Sequence, residues 1–204
     1  LKTLVLNETP WVWNGKNETQ QRQELVRFFD ENGITYRLNQ ATNKLRALQR
    51  GDGSWSWFPG MAGSSYVTLT VTEMVTRLQT LTGGRTDMNR NLEKAFDFMG
   101  RRVTEEVAAM KKREQRGEKN VRPSEWAVRY LYVSSLVDNS YYEDVKADRA
   151  YLISHLAKQP AAFTIYGKAV AAVILAKNGY AQMGKEYLQS IREYSVFTEE
   201  MGRY

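Results

Sequence analysis

Few side chains in this 204-residue sequence could do chemistry, and they do not form a complete site. His155 is the only histidine, so no second histidine can share a metal ion or complete a catalytic triad with it. Its place beside Leu152 and Leu156 favours a position in or near the core. Cysteine is absent, which excludes disulfides, thiolate metal ligands and a cysteine nucleophile.

The acidic and hydroxyl side chains are equally scattered. Pairs such as Glu105-Glu106 are adjacent, so their carboxylates point to different helix faces and do not converge on a substrate. Ser64-Ser65 and Ser134-Ser135 have no base nearby in the sequence, and no glycine-rich loop that could cradle a phosphate opens a helix. We therefore expect no enzyme activity, no cofactor and no metal site.

Residues 48–61 form the most distinctive segment, which we call the tryptophan turn. An Asp-Gly pair within it suits a tight turn with positive φ, and its three aromatic side chains would bury a large area against neighbouring helix ends. We expect a structural turn that locks one helix hairpin to the next. The alternative is an aromatic platform for a sugar ring or an isoprenoid. The residues on which either hypothesis depends are Asp52, Gly53, Trp55, Trp57, Phe58, Pro59 and Gly60.

Hydrophobic periodicity predicts helices on both sides of this turn. The clearest covers residues 34–48, and a shorter antiparallel helix before it could be capped by Asn17 and ended by Asn32-Gly33. Residues 67–81 form the next predicted helix, which Gly83-Gly84 ends. A long helix over residues 92–110 could be capped by Thr86 or Asp87, and it runs into Arg116-Gly117.

The second half of the chain continues the pattern. Pro123 fits the first turn of a helix that Asp138-Asn139-Ser140 breaks, and further helices are expected over residues 143–158, 160–177 and 181–194. Residues 169–176 are apolar on nearly every face, which predicts a helix buried on both sides. The sequence thus predicts an all-α fold of about eight helices in antiparallel hairpins, arranged as a single α/α-toroid or partial toroid over residues 1–204.

Charge and hydropathy restrict the partners. The net charge of +6 is spread evenly, and the basic run at residues 111–119 contains Glu114 and Glu118 and lacks aromatic residues, so we expect no nucleic-acid binding. No apolar stretch approaches the roughly 20 residues of a membrane-spanning helix. The chain begins abruptly with an apolar run, as a part of a longer polypeptide would.

Three stretches resemble the thioester-type domain of bacterial alpha-2-macroglobulin-like proteins. They are Glu8-Thr9-Pro10-Trp11, the tryptophan turn and Ser65-Tyr66-Val67-Thr68, in that order and spacing, and the closing Glu200-Met201-Gly202 is also similar. Residues 49–58 resemble the Gln/Trp turn motif of terpenoid cyclases and the glycine-rich turns of prenyltransferases, which share the α/α-toroid fold. All these likenesses imply the same architecture.

The resemblance implies a non-catalytic part of a large envelope protein that traps proteases, located in the periplasm or cell envelope of a Gram-negative bacterium. Its partners would be other domains of the same protein and target proteases, with membrane attachment only through a lipid anchor of the full-length protein. The family's Cys-Gly-Glu-Gln thioester has no counterpart here, because the chain lacks cysteine.

Two alternatives remain open. One is an α/α-toroid enzyme that acts on a glycan or polyprenyl substrate, with Trp55, Trp57 and Phe58 facing that substrate. The other is a helical scaffold that binds a protein partner through a concave face.

Overall fold

The structure is a computed structural model that describes residues 19–20, 22–23, 26, 31–83, 88–158, 163–200 and 202–203. Over these residues the protein is all-α, as the sequence predicts, with seven α-helices, one 3-10 helix and one short antiparallel strand pair. The elements are α1 (Glu31–Leu48), α2 (Ser65–Thr82), α3 (Asn89–Gln115), α4 (Glu125–Ser134), the 3-10 helix (Asn139–Val145), α5 (Lys146–Leu156), α6 (Ile165–Lys177), α7 (Ala181–Arg192), β1 (Phe197–Thr198) and β2 (Gly202–Arg203).

The chain divides into two compact units, Leu1–Ala47 and Leu48–Tyr204, and most of α1 belongs to the first. The helix predicted over residues 34–48 is confirmed, but the predicted stop at Asn32-Gly33 is wrong, because α1 begins at Glu31 and runs through both residues. A glycine stop needs a left-handed backbone, and the φ of Gly33 is not positive. The proposed cap Asn17 lies outside the described residues.

Helix α2 agrees closely with its prediction. Ser64 caps its N-terminus by accepting a hydrogen bond from the Val67 N–H, and Gly83 ends it with a left-handed φ of 61°. Two of its buried threonines, Thr68 and Thr72, are accommodated in the helix because their hydroxyl groups donate to the carbonyl one turn earlier, to Ser64 and Thr68, each at 2.7 Å. Gly84 lies outside the described residues.

Helix α3 contains the predicted apolar stripe but begins differently. Its N-cap is Met88, which makes no side-chain cap hydrogen bond, and the proposed caps Thr86 and Asp87 lie outside the described residues. Met88 is completely buried, and its packing contributes to fixing this helix start. The stripe Leu92, Phe96, Met99, Val103, Val107 and Met110 is buried as expected.

The boundaries of α4 and α5 differ from the prediction. Ser124, and not Pro123, starts α4, because its extended backbone and its hydroxyl, which accepts from the Ala127 N–H at 3.2 Å, form the N-cap. Helix α4 ends at Ser134. The predicted break is present at Asp138, whose backbone is extended, but Asn139 and Ser140 then begin a 3-10 helix. Helix α5 starts only at Lys146, after Tyr142 (φ −141°) and Val145 (φ −114°) depart from helical geometry.

Helices α6 and α7 form a hairpin. Gly184 lets the two backbones approach closely, since a Cβ at this position would lie 3.0 Å from the Ala172 carbonyl oxygen. Helix α6 packs against α4, α5 and α7, so it is covered on more than one side, as the sequence predicts, although Val173 is 42% exposed. Helix α7 ends at Arg192, and the predicted start of α6 at Pro160 lies outside the described residues.

The core of the second unit is one continuous apolar cluster contributed by α2 to α7. Its largest members include Tyr130, Phe96 and Tyr187, and the Tyr187 hydroxyl donates to the Leu156 carbonyl. The arrangement of the helices as a toroid and the single domain over residues 1–204 stay predictions.

Candidate functional site: the tryptophan turn and the aromatic cavity

The tryptophan turn is fixed to α3 by an amide pair. Gln49 Nε2 donates to the Asn91 carbonyl oxygen at 2.8 Å and to the Gly53 carbonyl oxygen at 3.0 Å. Asn91 Nδ2 donates in return to Gln49 Oε1 at 2.6 Å. One side chain therefore binds both the turn and the first turn of the helix.

Asp52 and Gly53 form the tight turn that the sequence predicts. Asp52 Oδ1 accepts from the Ser54 N–H at 3.0 Å and from the Ser54 hydroxyl at 2.6 Å, and these bonds lower the pKa of Asp52. Gly53 has a φ of 90°, and a Cβ there would lie 2.0 Å from the Lys94 carbonyl oxygen. Only glycine fits both the backbone angle and this approach to α3.

Trp55 is the buried member of the turn, at 2% exposed. The backbone N–H of Trp55 donates to the Thr68 hydroxyl at 2.9 Å, and the backbone carbonyl of Trp55 accepts from the Ser64 N–H at 2.9 Å. Trp55 therefore joins the turn to the start of α2, as the structural hypothesis expects. The hypothesis that Trp55 faces a substrate is wrong, since its ring lies in the protein interior.

Trp57 and Phe58 point outward, so the expectation that all three aromatic rings are buried is wrong. They are 62% and 68% exposed. The physical reason is a second tight turn, in which the Met61 N–H donates to the Phe58 carbonyl at 3.2 Å and Gly60 adopts a φ of 84°. This turn includes Pro59, and residues 57–61 are all exposed.

The exposed Trp57 ring stacks on Tyr66 of α2, with centroids 5.9 Å apart and planes 14° from parallel. Tyr66 in turn lines a cavity of about 380 Å³ between α2, α4 and α6. Aromatic rings form much of its wall: Tyr66, Trp126, Phe163 and Tyr166. Trp57 of the turn adjoins this cavity through Tyr66. We call the surface formed by the two exposed rings, Trp57 and Phe58, and the cavity the aromatic face.

A buried carboxylate organises the helices around the cavity. Glu73 of α2 accepts from Arg129 of α4 at 3.0 Å and from Arg77 at 2.9 Å. The Arg129 guanidinium also lies over the Tyr66 ring, 5.5 Å from its centroid. Because both arginines neutralise Glu73, this carboxylate is a link between helices and has no free oxygen for acid–base chemistry.

The described cavity wall offers mainly aromatic and apolar contact area, which suits flat or apolar groups. Glu125 is the only carboxylate in the described cavity wall. Most glycoside hydrolases use two carboxylates that flank the scissile bond. The Trp126 indole N–H is already used, donating to the Ser65 carbonyl at 3.1 Å.

His155 is buried, as the sequence predicts, but its partners were not foreseen. Its Nε2 lies 2.8 Å from Glu114 Oε1, and its Nδ1 lies 2.9 Å from the Tyr151 carbonyl oxygen. The Tyr151 hydroxyl donates to Glu114 Oε2. The hydrogen bonds from Tyr151 and His155 lower the pKa of Glu114, whereas burial and Glu114 raise that of Tyr151 to about 12.

Sequence reasoning missed Glu73 and Arg129, and it named Tyr66 only as part of the family-like segment Ser65-Tyr66-Val67-Thr68. One signal was present: Glu73 lies four residues after Leu69 on the stripe of α2 that faces the core, where a charged side chain requires a partner. The partner Arg129 is 56 residues away, so periodicity within one helix does not reveal it.

Among the described residues, no group of three or more His, Cys, Asp or Glu side chains could hold a metal ion. None of the helices that the structure describes is long and apolar enough to cross a membrane. Comparison of the chain with protein-family models, curated proteins and solved structures gives no match.

Proposed function

We propose that this chain is a non-catalytic interaction domain of a bacterial alpha-2-macroglobulin-like envelope protein that traps and inhibits proteases. The aromatic face contacts another domain of the same protein. The resemblance of the tryptophan turn and its flanking segments to that family supports the larger context.

The observation that carries the interaction role is the exposure of Trp57 and Phe58 on a turn that is otherwise rigidly held. Gln49, Gly53 and Trp55 anchor the turn to α2 and α3, so the two exposed rings are presented in a fixed position. Large aromatic side chains held in this way lose little conformational entropy on binding and are enriched at protein interfaces. Tyr66 and Tyr166, both more than half exposed, extend the same surface.

The chemistry of the cavity supports a non-catalytic role. The part of its wall that the structure describes contains one carboxylate, Glu125, and the nearby Glu73 is paired with two arginines. A surface of this kind supplies apolar contact area and a few hydrogen bonds, which suits recognition.

A second candidate is an α/α-toroid enzyme that acts on a glycan or polyprenyl substrate. The observation that favours it is the aromatic cavity of about 380 Å³, which is large enough for a sugar ring or an isoprene unit. In this case Glu125 would be the acid, and Trp57 would extend the binding surface.

The test is a protease challenge of the macroglobulin-like protein that contains this domain, as wild type and as the double variant Trp57→Ala/Phe58→Ala. We expect the wild type to hold a protease that still cleaves small peptides but no longer cleaves large proteins. The double variant should lose this shielding at least tenfold, because its domain contact is weakened. Leu188→Ala, which removes a half-exposed apolar side chain on α7, is the matched control.

Stability measurements separate loss of contact from loss of fold. Trp57→Ala should cost the isolated chain about 1 kcal/mol, because it removes one stacked pair, whereas Trp55→Ala should cost about 3–5 kcal/mol. Full protease activity on both substrate sizes with the wild type would reject the inhibitor function. Shielding unchanged in the double variant would reject the aromatic face as the contact.

A further inference from the structure

A second cavity, of about 420 Å³, lies where α4, the 3-10 helix, α5 and α6 meet. It lies on different elements from the tryptophan turn, and its wall shares no residue with the aromatic cavity. Three cationic side chains line it, Lys146, Arg149 and Lys177, together with the amides of Asn139 and Asn178. The described wall contains no carboxylate. We call this site the basic cavity.

Arg149 is the central residue of the basic cavity and is only 8% exposed. Its Nε donates to the Ser134 hydroxyl at 2.9 Å, and its Nη1 donates to Asn178 Oδ1 at 3.0 Å. The guanidinium also lies over the Tyr142 ring, 4.5 Å from its centroid. All these partners are neutral, and no carboxylate of the described residues lies within ion-pair distance of Arg149.

A buried arginine without an anion is unusual, because removing a charge from water is unfavourable unless an opposite charge compensates it. Burial accordingly lowers the pKa of Arg149. The neutral hydrogen bonds fix the orientation of the guanidinium, but they do not balance its charge. The site therefore presents a positively charged guanidinium in a fixed orientation, with no negative charge of a described residue paired to it.

The guanidinium still has donors for a ligand. Nη2 makes no hydrogen bond to any described residue, and it is not among the buried side-chain atoms that are sealed from solvent without a partner. Lys177 Nζ, at the same cavity, donates to the Ser135 carbonyl at 3.0 Å and keeps two further N–H groups. Lys146 pairs with Glu143 at 3.1 Å on an exposed edge.

We propose that the basic cavity binds a small oxyanion, the phosphate or carboxylate group of a small-molecule ligand, between Arg149 and Lys177. Arginine recognises such groups with its planar fork of N–H donors, and a lysine supplies a second positive charge. Asn178 serves to orient Arg149, whereas the Asn139 side chain, whose Oδ1 accepts from the Tyr142 hydroxyl, adds a polar amide nitrogen to the wall. The site is independent of the protease-trapping function and of the aromatic face.

The experiment is calorimetric titration of the whole chain with inorganic phosphate and, separately, with acetate, at an ionic strength held constant with sodium chloride. We expect saturable binding that chloride does not reproduce. Lys177→Gln should weaken it about tenfold, because it removes one charge-assisted hydrogen bond. Lys185→Gln, an equal charge change on the exposed face of α7, should leave it unchanged.

A second variant tests Arg149 directly. Arg149→Lys keeps the charge but loses the fork, so it should weaken binding at least tenfold, and circular dichroism shows whether it remains folded. If Arg149→Lys does not fold, the comparison of Lys177→Gln with Lys185→Gln shows whether the oxyanion binds in the basic cavity. Preference for phosphate identifies a phosphoryl ligand, and equal or better binding of acetate identifies a carboxylate ligand. No binding beyond chloride, or equal weakening by Lys177→Gln and Lys185→Gln, would overturn the proposal.

Discussion

Gln49 and Asn91, which lie 42 residues apart in the sequence, are joined by two hydrogen bonds. Asn91 donates its side-chain N–H to Gln49 Oε1, and Gln49 donates to the Asn91 backbone carbonyl. The same Gln49 nitrogen reaches the Gly53 carbonyl. This arrangement requires an amide at position 49, because the site needs both a donor and an acceptor.

Replacing Gln49 with glutamate should therefore destabilise the second unit. A carboxylate keeps the size of the amide but cannot donate, so its oxygen would face the carbonyl oxygens of Gly53 and Asn91. We expect Gln49→Glu to lower the free energy of unfolding by about 2 kcal/mol, measured by urea denaturation followed by circular dichroism. Gln189→Glu on an exposed part of α7 should change it by less than about 0.5 kcal/mol, and equal effects would disprove the role of this amide.

The two positive-φ glycines of the tryptophan turn provide a matched pair. Gly53→Ala places a Cβ against the Lys94 carbonyl, whereas Gly60→Ala meets nothing within 4 Å. Both substitutions carry the backbone cost of about 1 kcal/mol, and only the first adds a steric clash with α3. We expect Gly53→Ala to lower the melting temperature clearly more than Gly60→Ala does. Similar melting temperatures would show that the turn moves away from α3 easily.

The Glu114 cluster predicts a pH dependence of stability. The pKa of Glu114 in the folded protein is below its ordinary value of 4.5, because Tyr151 and His155 donate to the carboxylate. The stabilising contribution is therefore fully present above about pH 4.5 and is lost as the pH falls through the folded pKa. The difference in stability between wild type and Glu114→Gln should be largest near pH 6 and should shrink toward pH 3.

Denaturation curves collected between pH 3 and pH 7 measure this difference. Glu105→Gln is the control, because Glu105 is exposed and pairs only loosely with Arg102 at 3.7 Å. A Glu114→Gln difference that stays constant over the whole range would contradict the lowered pKa.

The helices were predictable from sequence wherever an apolar stripe and a local cap agree. The stripe from Leu92 to Met110 in α3 and the Gly83 stop of α2 are examples, because both signals lie within one helix. The position of Met88 at the start of α3 was not predictable, because Met88 is fixed there by tertiary burial, which local spacing does not reveal. The Asn32-Gly33 stop failed because glycine also occurs inside helices at modest cost.

The tryptophan turn was located correctly, but the direction of its rings was not. Trp55, Trp57 and Phe58 have similar apolar character, and which ring is buried depends on the tight turn after Phe58 and on partners in α2. The ion pair of Glu73 with Arg129 and the basic cavity around Arg149 depend on contacts between distant helices, and no local spacing encodes such contacts.

Helix α3 has 27 residues and so a length of about 40 Å, and it is fastened near both ends. Near one end, Asn91 is hydrogen-bonded to Gln49 of the tryptophan turn, and the Lys94 carbonyl lies close to Gly53. Near the other end, Glu114 is hydrogen-bonded to Tyr151 and His155. Helix α3 is thus one continuous connection between these two sets of contacts. The length of α3 therefore sets the separation between the tryptophan turn and the contacts of Glu114 with α5.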